Sequence, residues 1–381
     1  MTVQDRSAAR SAPLPVVRAV IVIGMLYAFL VGVSLLESGI SGLGAGFQEG
    51  LVREIANPLS GLFAGIVLTV LVQSSSVSTA TIVGLVGAGT LDVSLAVPMI
   101  MGANIGTTVT NTLASLGSVR RREEFRRALT AATMHDFFNI FAVLVLLPVE
   151  LLTGLFTRTA VALTGVLRGT DIAIEPGPSR LRAAVRLPVG IAKDLVAASG
   201  LPTRIGAVVL LSLGLALIFL ALVLITRNMR QLVRGSVERA MNHIVGRGGG
   251  SVGILIGILV TVAVQSSTIT TSILVPLVAA GLLTARSAYP ITLGANVGTT
   301  VTALIASLAV TQPAGLTIAL VHTLFNVVAI GLIFPVRAIR DVPVRMAEVF
   351  AGFAVRHPTV VGAYLLGLFL VIPIIGIFLI P

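Results

Sequence analysis

The chain has 381 residues, of which 56% are hydrophobic and only 11% charged, with a mean hydropathy of +1.04. That balance describes an integral membrane protein and excludes an ordinary water-soluble domain. The net charge of +11 comes from arginines gathered at the ends of apolar segments, without basic runs interleaved with aromatics, so nucleic acid is not an expected partner. The lack of cysteine excludes disulfides, thiolate metal sites and a cysteine nucleophile.

Residues 1–15 are polar and carry arginine, and are expected to form a cytoplasmic tail. No small-residue cleavage site follows the next apolar run, so Val16–Leu36 is expected to be an uncleaved first span and not a signal peptide. A bilayer core about 30 Å thick takes about 20 helical residues to cross. Further single crossings are expected at Val93–Leu116, Ala128–Val149, Thr203–Thr226, Ser287–Val310, Ala314–Val336 and Val360–Ile380. Two apolar stretches, Pro58–Gly89 and Gly250–Gly281, are 32 residues long, and each has a Gln-Ser-Ser cluster near its middle. Unpaired polar groups at the centre of a lipid-facing helix are costly. Each stretch is therefore expected to be a re-entrant hairpin of two half-helices meeting at a buried polar tip. Arg230–Val245 and Ala338–Ala354 mix charged and apolar residues at helical spacing and are expected to be interfacial helices on the inner membrane face.

The polar clusters occur twice. Leu71-Val-Gln-Ser-Ser-Ser-Val-Ser-Thr79 returns as Ala263-Val-Gln-Ser-Ser-Thr-Ile-Thr-Thr271, and Gly102-Ala-Asn-Ile-Gly-Thr-Thr-Val-Thr110 as Gly294-Ala-Asn-Val-Gly-Thr-Thr-Val-Thr302, both at an offset of 192. Gly65–Ser115 and Gly257–Ser307 share 27 identities in 51 positions, more than common apolar composition explains. A third pair, His135-Asp-Phe-Phe-Asn139 and His322-Thr-Leu-Phe-Asn326, follows at a slightly different spacing. Matched Gly-interrupted polar segments in two apolar halves point to a substrate site between repeats of a carrier.

With the N-terminus in the cytoplasm and three true crossings per repeat, the second repeat runs inverted relative to the first. The inner segments then hold 18 of the 26 basic residues, and five of the eight outer ones fall in the Arg180–Arg204 connection, a long loop of the kind that obeys the positive-inside rule weakly. The expected fold is thus an all-α integral membrane protein of two inverted-topology repeats, each with a re-entrant helical hairpin. Its divisions are the tail at 1–15, repeat 1 at 16–167 with its hairpin at 58–89, an extracellular connection at 168–202, repeat 2 at 203–357 with its hairpin at 250–281, and a C-terminal transmembrane helix at 358–381. The layout puts a multi-pass protein in the cell membrane with its C-terminus outside. It leaves one carboxylate, Asp136, in mid-membrane.

The Gln-Ser-Ser tips suit both an oxyanion and a sodium ion. Backbone N–H groups at the start of a half-helix favour an anion, whereas hydroxyls, the Gln amide oxygen and unwound carbonyls favour a hard cation. Asn104, Thr107 and Thr108, with Asn296 and Thr300 in the second copy, add a supporting polar wall, and the adjacent glycines permit close backbone approach. Small hydroxyl residues also pack helix interfaces in membranes, but that role leaves the pairing of four clusters unexplained. His135 and His322 suit either a proton relay or gate, or a structural bond to a neighbouring carbonyl. No zinc spacing, phosphate-loop motif or nucleophile elbow is present, so no enzyme and no cofactor are expected.

The doubled Gln-Ser-Ser-Ser/Thr and Gly-Ala-Asn-x-Gly-Thr-Thr-x-Thr blocks, with Glu124-Phe-Arg-Arg-Ala128 and His135-Asp-Phe-Phe-Asn139, resemble the type II sodium–phosphate cotransporter family. The resemblance covers roughly residues 58–150 and 250–381. It implies electrogenic uptake of inorganic phosphate by alternating access, with Na+ as coupling ion. It implies that Gln73, Ser74, Ser75, Ser76, Gln265, Ser266, Ser267 and Thr268 hold phosphate, that Gln265, Ser266, Thr299 and Thr302 hold sodium, and that Asp136 with Asn139 holds a further sodium. Three departures stand out: the inter-repeat connection lacks the cysteines and glycosylation sites of animal members, the chain ends at Pro381 one helix early, and Ala295 replaces a serine. No soluble regulatory domain is expected after the last helix, and the oligomeric state is left open. A carrier for sulfate or a dicarboxylate, or an anion channel lined by the tips, are the competing expectations; a dicarboxylate site would call for mid-membrane arginine.

Overall fold

A computed structural model describes residues 15–44, 46–47, 49–50, 57–169, 180–246 and 250–379. The expected tail, except for residue 15, and residues 170–179 of the expected extracellular connection lie outside the described residues. Within them the regular structure is helical: α1 (Pro15–Gly42), α2 (Pro58–Val72), α3 (Ser75–Gly87), α4 (Val93–Gly106), α5 (Val109–Ser115), α6 (Arg122–Thr153), α7 (Leu155–Gly169), α8 (Arg180–Ala198), α9 (Thr203–Gly246), α10 (Gly250–Val264), α11 (Ser267–Ala279), α12 (Ala285–Ser307), α13 (Pro313–Ile333), α14 (Val342–Arg356), α15 (Thr359–Leu366) and α16 (Ile372–Leu379). A π turn, Gly367–Val371, joins the last two into one rod.

Six helical stretches are long and apolar enough to cross a membrane: Pro15–Gly42, Val93–Ser118, Arg122–Thr153, Thr203–Val233, Pro313–Ile333 and Thr359–Leu379. They coincide with six of the seven expected crossings. The seventh, Ser287–Val310, falls on α12, which has 23 residues and a largely buried surface rich in Thr, Asn and Gly. Its polarity, not its length, sets it apart from the others.

One expectation needs correction. Arg230–Val245 is not a separate interfacial helix, because α9 runs unbroken for 44 residues, about 66 Å at the α-helical rise. The polar half contains no proline, and once a helix is nucleated, extending it through Arg, Gln, Leu, Glu and Met is easy. The other expected interfacial segment, Ala338–Ala354, is divided between a single turn, Arg337–Arg340, and α14. α14 starts with Pro343 in its first turn and buries Val344, Ala347, Ala351 and Ala354 along one stripe, which packs on α6.

Backbone contact ties each broken pair to its neighbour. A Cβ added at Gly102 would fall 2.0 Å from the Leu62 carbonyl oxygen, and one at Gly65 would fall 2.0 Å from that of Met99. In the second half the values are 2.0 Å for Gly294 against Ile254 and 2.1 Å for Gly257 against Ile291. Reciprocal glycines thus let α2 lie directly on α4, and α10 on α12, as small residues do at close helix crossings. The two halves also exchange elements: α7, which follows α6, packs on α13, and α14, which follows α13, packs on α6. The main core of buried aliphatic and aromatic side chains therefore spans both halves, with a smaller cluster of Phe125, Leu129, Ala351, Ala354 and Val361 beside it.

Candidate functional site

Both Gln-Ser-Ser clusters sit where a helix stops and restarts. After α2, Gln73 takes a left-handed conformation (φ 54, ψ 27) and Ser74 an extended one (φ −153), and α3 begins at Ser75. After α10, Gln265 (φ 56) and Ser266 (φ −156) repeat this pattern before α11. These two glutamines are the positive-φ residues other than glycine among the described residues. The left-handed region costs a non-glycine residue about 1–2 kcal/mol, and here the sequence holds it twice, at equivalent places.

Side chains explain how the breaks are held. The Gln73 Nε2 donates to the Val70 carbonyl (2.5 Å), and its Oε1 accepts from Thr110 Oγ1 (2.8 Å). Gln265 Nε2 donates to the Val262 carbonyl (2.7 Å), and its Oε1 accepts from Thr302 Oγ1 (3.1 Å). Each glutamine thus caps the helix it ends and ties it to the last threonine of the Gly-Ala-Asn-x-Gly-Thr-Thr-x-Thr block of its own half. Ser74 Oγ accepts from the Val77 N–H and Ser266 Oγ from the Ile269 N–H, each at 3.3 Å, so the serines cap the helices that follow.

The two breaks face one cavity of about 1100 Å³. Gln73–Val77 and Gln265–Ile269 line it together with residues of α9, among them Phe219, Thr226, Arg227 and Arg230. All eight residues expected at the phosphate site therefore meet at one space. Among the described residues its lining contains no carboxylate and two charged side chains, Arg227 and Arg230, which belong to neither repeated motif.

The remaining expected residues lie away from that lining. Thr302 joins Gln265 as described, and Thr299, one turn earlier on α12, donates to the Ala295 carbonyl (3.0 Å). Thr107 and Thr300 also donate to carbonyls of their own helices, at 2.8 and 2.7 Å, and Thr108 donates to the Ile105 carbonyl at 3.0 Å. These bonds leave the oxygens' acceptor capacity in place. Asn139 belongs to a buried network between the halves: its Nδ2 donates to the Asn104 carbonyl (2.7 Å), its Oδ1 accepts from Asn296 Nδ2 (2.7 Å), and Asn296 Oδ1 meets His135 Nε2 at 2.5 Å. His135 thus bonds a side chain of the other half, where a neighbouring carbonyl was one expectation. The equivalent pair is looser, with Asn326 Nδ2 3.4 Å from Asn104 Oδ1.

Asp136 is fully buried and stands apart from Asn139's partners. Its Oδ2 accepts from Tyr364 O–H at 2.8 Å and from Thr112 Oγ1 at 3.4 Å, while its Oδ1 has no protein partner. Neither Tyr364 nor Thr112 belongs to the expected site. Tyr364 carries the better sequence signal, as one of three tyrosines in the chain and the polar tip in an apolar rod. A further bridge joins α5 to α11: Asn111 Nδ2 donates to Thr271 Oγ1 (2.7 Å), and Ser272 Oγ donates to Asn111 Oδ1 (2.9 Å).

A multi-helix membrane protein that holds two matched helix breaks against one shared cavity has the build of a solute carrier. The Na+/Pi-cotransporter family model matches residues 28–164 and 217–355, and the chain belongs to that family. Sodium-dependent phosphate transport protein 2A of Ovis aries is 32% identical over 434 residues, covering 96% of this chain and 68% of that protein. The 2A protein of Rattus norvegicus is 32% identical over 421 residues (93% and 66%), and the 2B protein of Homo sapiens 31% over 444 residues (94% and 64%). The chain thus spans about two thirds of the length of these relatives. No solved structure matches it.

Proposed function

We propose that sodium-coupled import of inorganic phosphate, the activity that family membership carries, proceeds in this chain by alternating access and moves net charge. On this reading residues 16–167 and 203–357 are inverted-topology repeats, Pro58–Gly89 and Gly250–Gly281 are re-entrant hairpins, and 358–381 is a C-terminal crossing. The protein sits in the cell membrane with 1–15 inside and 168–202 outside. The observation that carries the proposal is the meeting of two identically built Gln-Ser breaks at one cavity. Each brings a helix N-terminus whose first-turn N–H groups favour an anion.

Phosphate is held by Gln73, Ser74, Ser75 and Ser76 from one break and Gln265, Ser266, Ser267 and Thr268 from the other. Gln265, Ser266, Thr299 and Thr302 offer oxygens for one sodium, a reading supported by the direct Gln265–Thr302 bond. Asp136 offers a second cation site, supported by its unpartnered Oδ1. Asn139 contributes indirectly, through the network that positions α6, since both ends of its amide are already engaged. Uptake of radiolabelled phosphate into proteoliposomes tests the whole proposal. Accumulation is expected with an inward sodium gradient and is lost when choline replaces sodium; uptake that persists in choline, or that follows a proton gradient, overturns it.

A further inference from the structure

Besides the two breaks, α9 lines the cavity, and its polar members there recur at helical spacing. Thr226, Arg227, Arg230 and Gln231 lie on the same face as Leu222 and Val223, and all six line the space that Ser75, Ser76, Ser267 and Thr268 also line. Arginines at the end of a crossing helix ordinarily snorkel toward headgroups. These two also line the cavity, and no carboxylate is found among the described residues of its lining. From Thr203 to Thr226 α9 runs about 36 Å, so Arg227 and Arg230 lie where that helix reaches one membrane face.

We infer that Arg227 and Arg230 form an anion-attracting vestibule, which holds phosphate electrostatically as it passes between the two breaks and the solution on that side. The inference rests on the phosphate-transport reading and adds to it a second binding element outside both repeated motifs. The cube root of the cavity volume is about 10 Å, and at that separation in a watery space one arginine strengthens the binding of a divalent anion about four-fold. Two together, less screening, give about ten-fold. The same geometry predicts a loss of effect in salt, because the Debye length falls from about 10 Å at 0.1 M to about 3 Å at 1 M ionic strength.

Binding of radiolabelled phosphate to the purified full chain, at fixed sodium and at low and high ionic strength, tests this. R227Q and R230Q should each weaken binding several-fold at low ionic strength, and the double variant about ten-fold. R227E should weaken it further, and the R227K/R230K double variant should bind like the wild type, since a field needs charge and not a fork. The differences should shrink toward none at 1 M. Unchanged binding in the R227Q/R230Q variant, or a loss that is the same at every ionic strength and is not rescued by lysine, overturns the inference. Wild-type protein that binds no phosphate at all overturns the transport reading and this inference together, whereas wild-type binding with indifferent arginine variants removes this inference alone.

Discussion

The left-handed glutamines allow backbone strain and ligand chemistry to be separated by two substitutions at one position. Gln73 donates to the Val70 carbonyl at 2.5 Å and accepts from Thr110 at 2.8 Å. A net contribution of about 0.5–1.5 kcal/mol per hydrogen bond makes the loss on truncation roughly 1–3 kcal/mol. Gln73→Ala incurs that loss and keeps the left-handed penalty. Gln73→Gly incurs the same loss but removes the penalty of about 1–2 kcal/mol, since glycine adopts positive φ freely. The glycine variant should therefore be the more heat-resistant of the two in detergent, by roughly 1 kcal/mol, even though glycine inside regular helix is the worse residue. Both should lose most sodium-dependent phosphate uptake, because the amide that fixes the break is gone. Gln265→Ala and Gln265→Gly should behave alike, given the same circuit at 2.7 and 3.1 Å. Fluorescence-detected thermal unfolding on purified variants reads the order, and proteoliposome uptake reads the function. An alanine variant as stable as wild type and more stable than the glycine variant, or near-normal uptake in all four, refutes the reasoning.

Gly102→Ala and Gly294→Ala should each lower the unfolding temperature sharply, by an overpacking cost of about 1–3 kcal/mol, because the new methyl would fall 2.0 Å from a carbonyl oxygen of the neighbouring helix; a melting curve that matches wild type refutes that contact. With no native cysteine, an impermeant thiol reagent applied to intact cells should label Ser199→Cys and spare Ser118→Cys, and the opposite pattern overturns the proposed orientation. Asp136→Gly should leave sodium-dependent uptake measurable but insensitive to an imposed membrane potential, because the cation proposed at this buried carboxylate would supply the charge that moves, worth about 2.3 kcal/mol per 100 mV. Uptake in that variant that still rises with an inside-negative potential as steeply as in wild type assigns Asp136 a structural role instead. Tyr364→Phe, which removes the 2.8 Å donor to Asp136 and keeps the ring, should shift the half-saturating sodium concentration while leaving phosphate affinity close to normal; an unchanged sodium dependence counts against a cation at Asp136.

The crossing helices are legible in the sequence because a bilayer imposes a length and an apolar composition that a sequence displays directly. The position of the helix breaks is legible for a related reason: a Gln-Ser-Ser cluster midway along 32 apolar residues has no other inexpensive conformation, and the breaks fall at Gln73–Ser74 and Gln265–Ser266. Polarity, by contrast, is a poor guide to where a helix ends. Arg227–Val245 has the composition of a span's end followed by a separate surface helix, yet nothing in it stops a helix, and α9 continues to Gly246. The helix Arg180–Ala198, within a stretch expected only as a connection, is hidden in the sequence because Pro188 and five charged residues mask its apolar stripe.

At the site, legibility follows sequence repetition and fails where a contact is made once. The eight tip residues stand out because each has a counterpart 192 positions away. Arg227, Tyr364 and Thr112 have no such signal. Tyr364 reaches Asp136 across 228 residues, and no local period or motif records a contact of that range. The asparagine network shows the limit more sharply. Repetition relates Asn104 to Asn296 and Asn139 to Asn326, but the bonds run across that relation, from Asn296 to Asn139 and from Asn326 to Asn104. Equivalent residues are copies that take corresponding places in two halves, so it is their neighbours, and not one another, that they touch. A repeat therefore marks which side chains matter, while the pairing that positions them arises only where the two halves pack together.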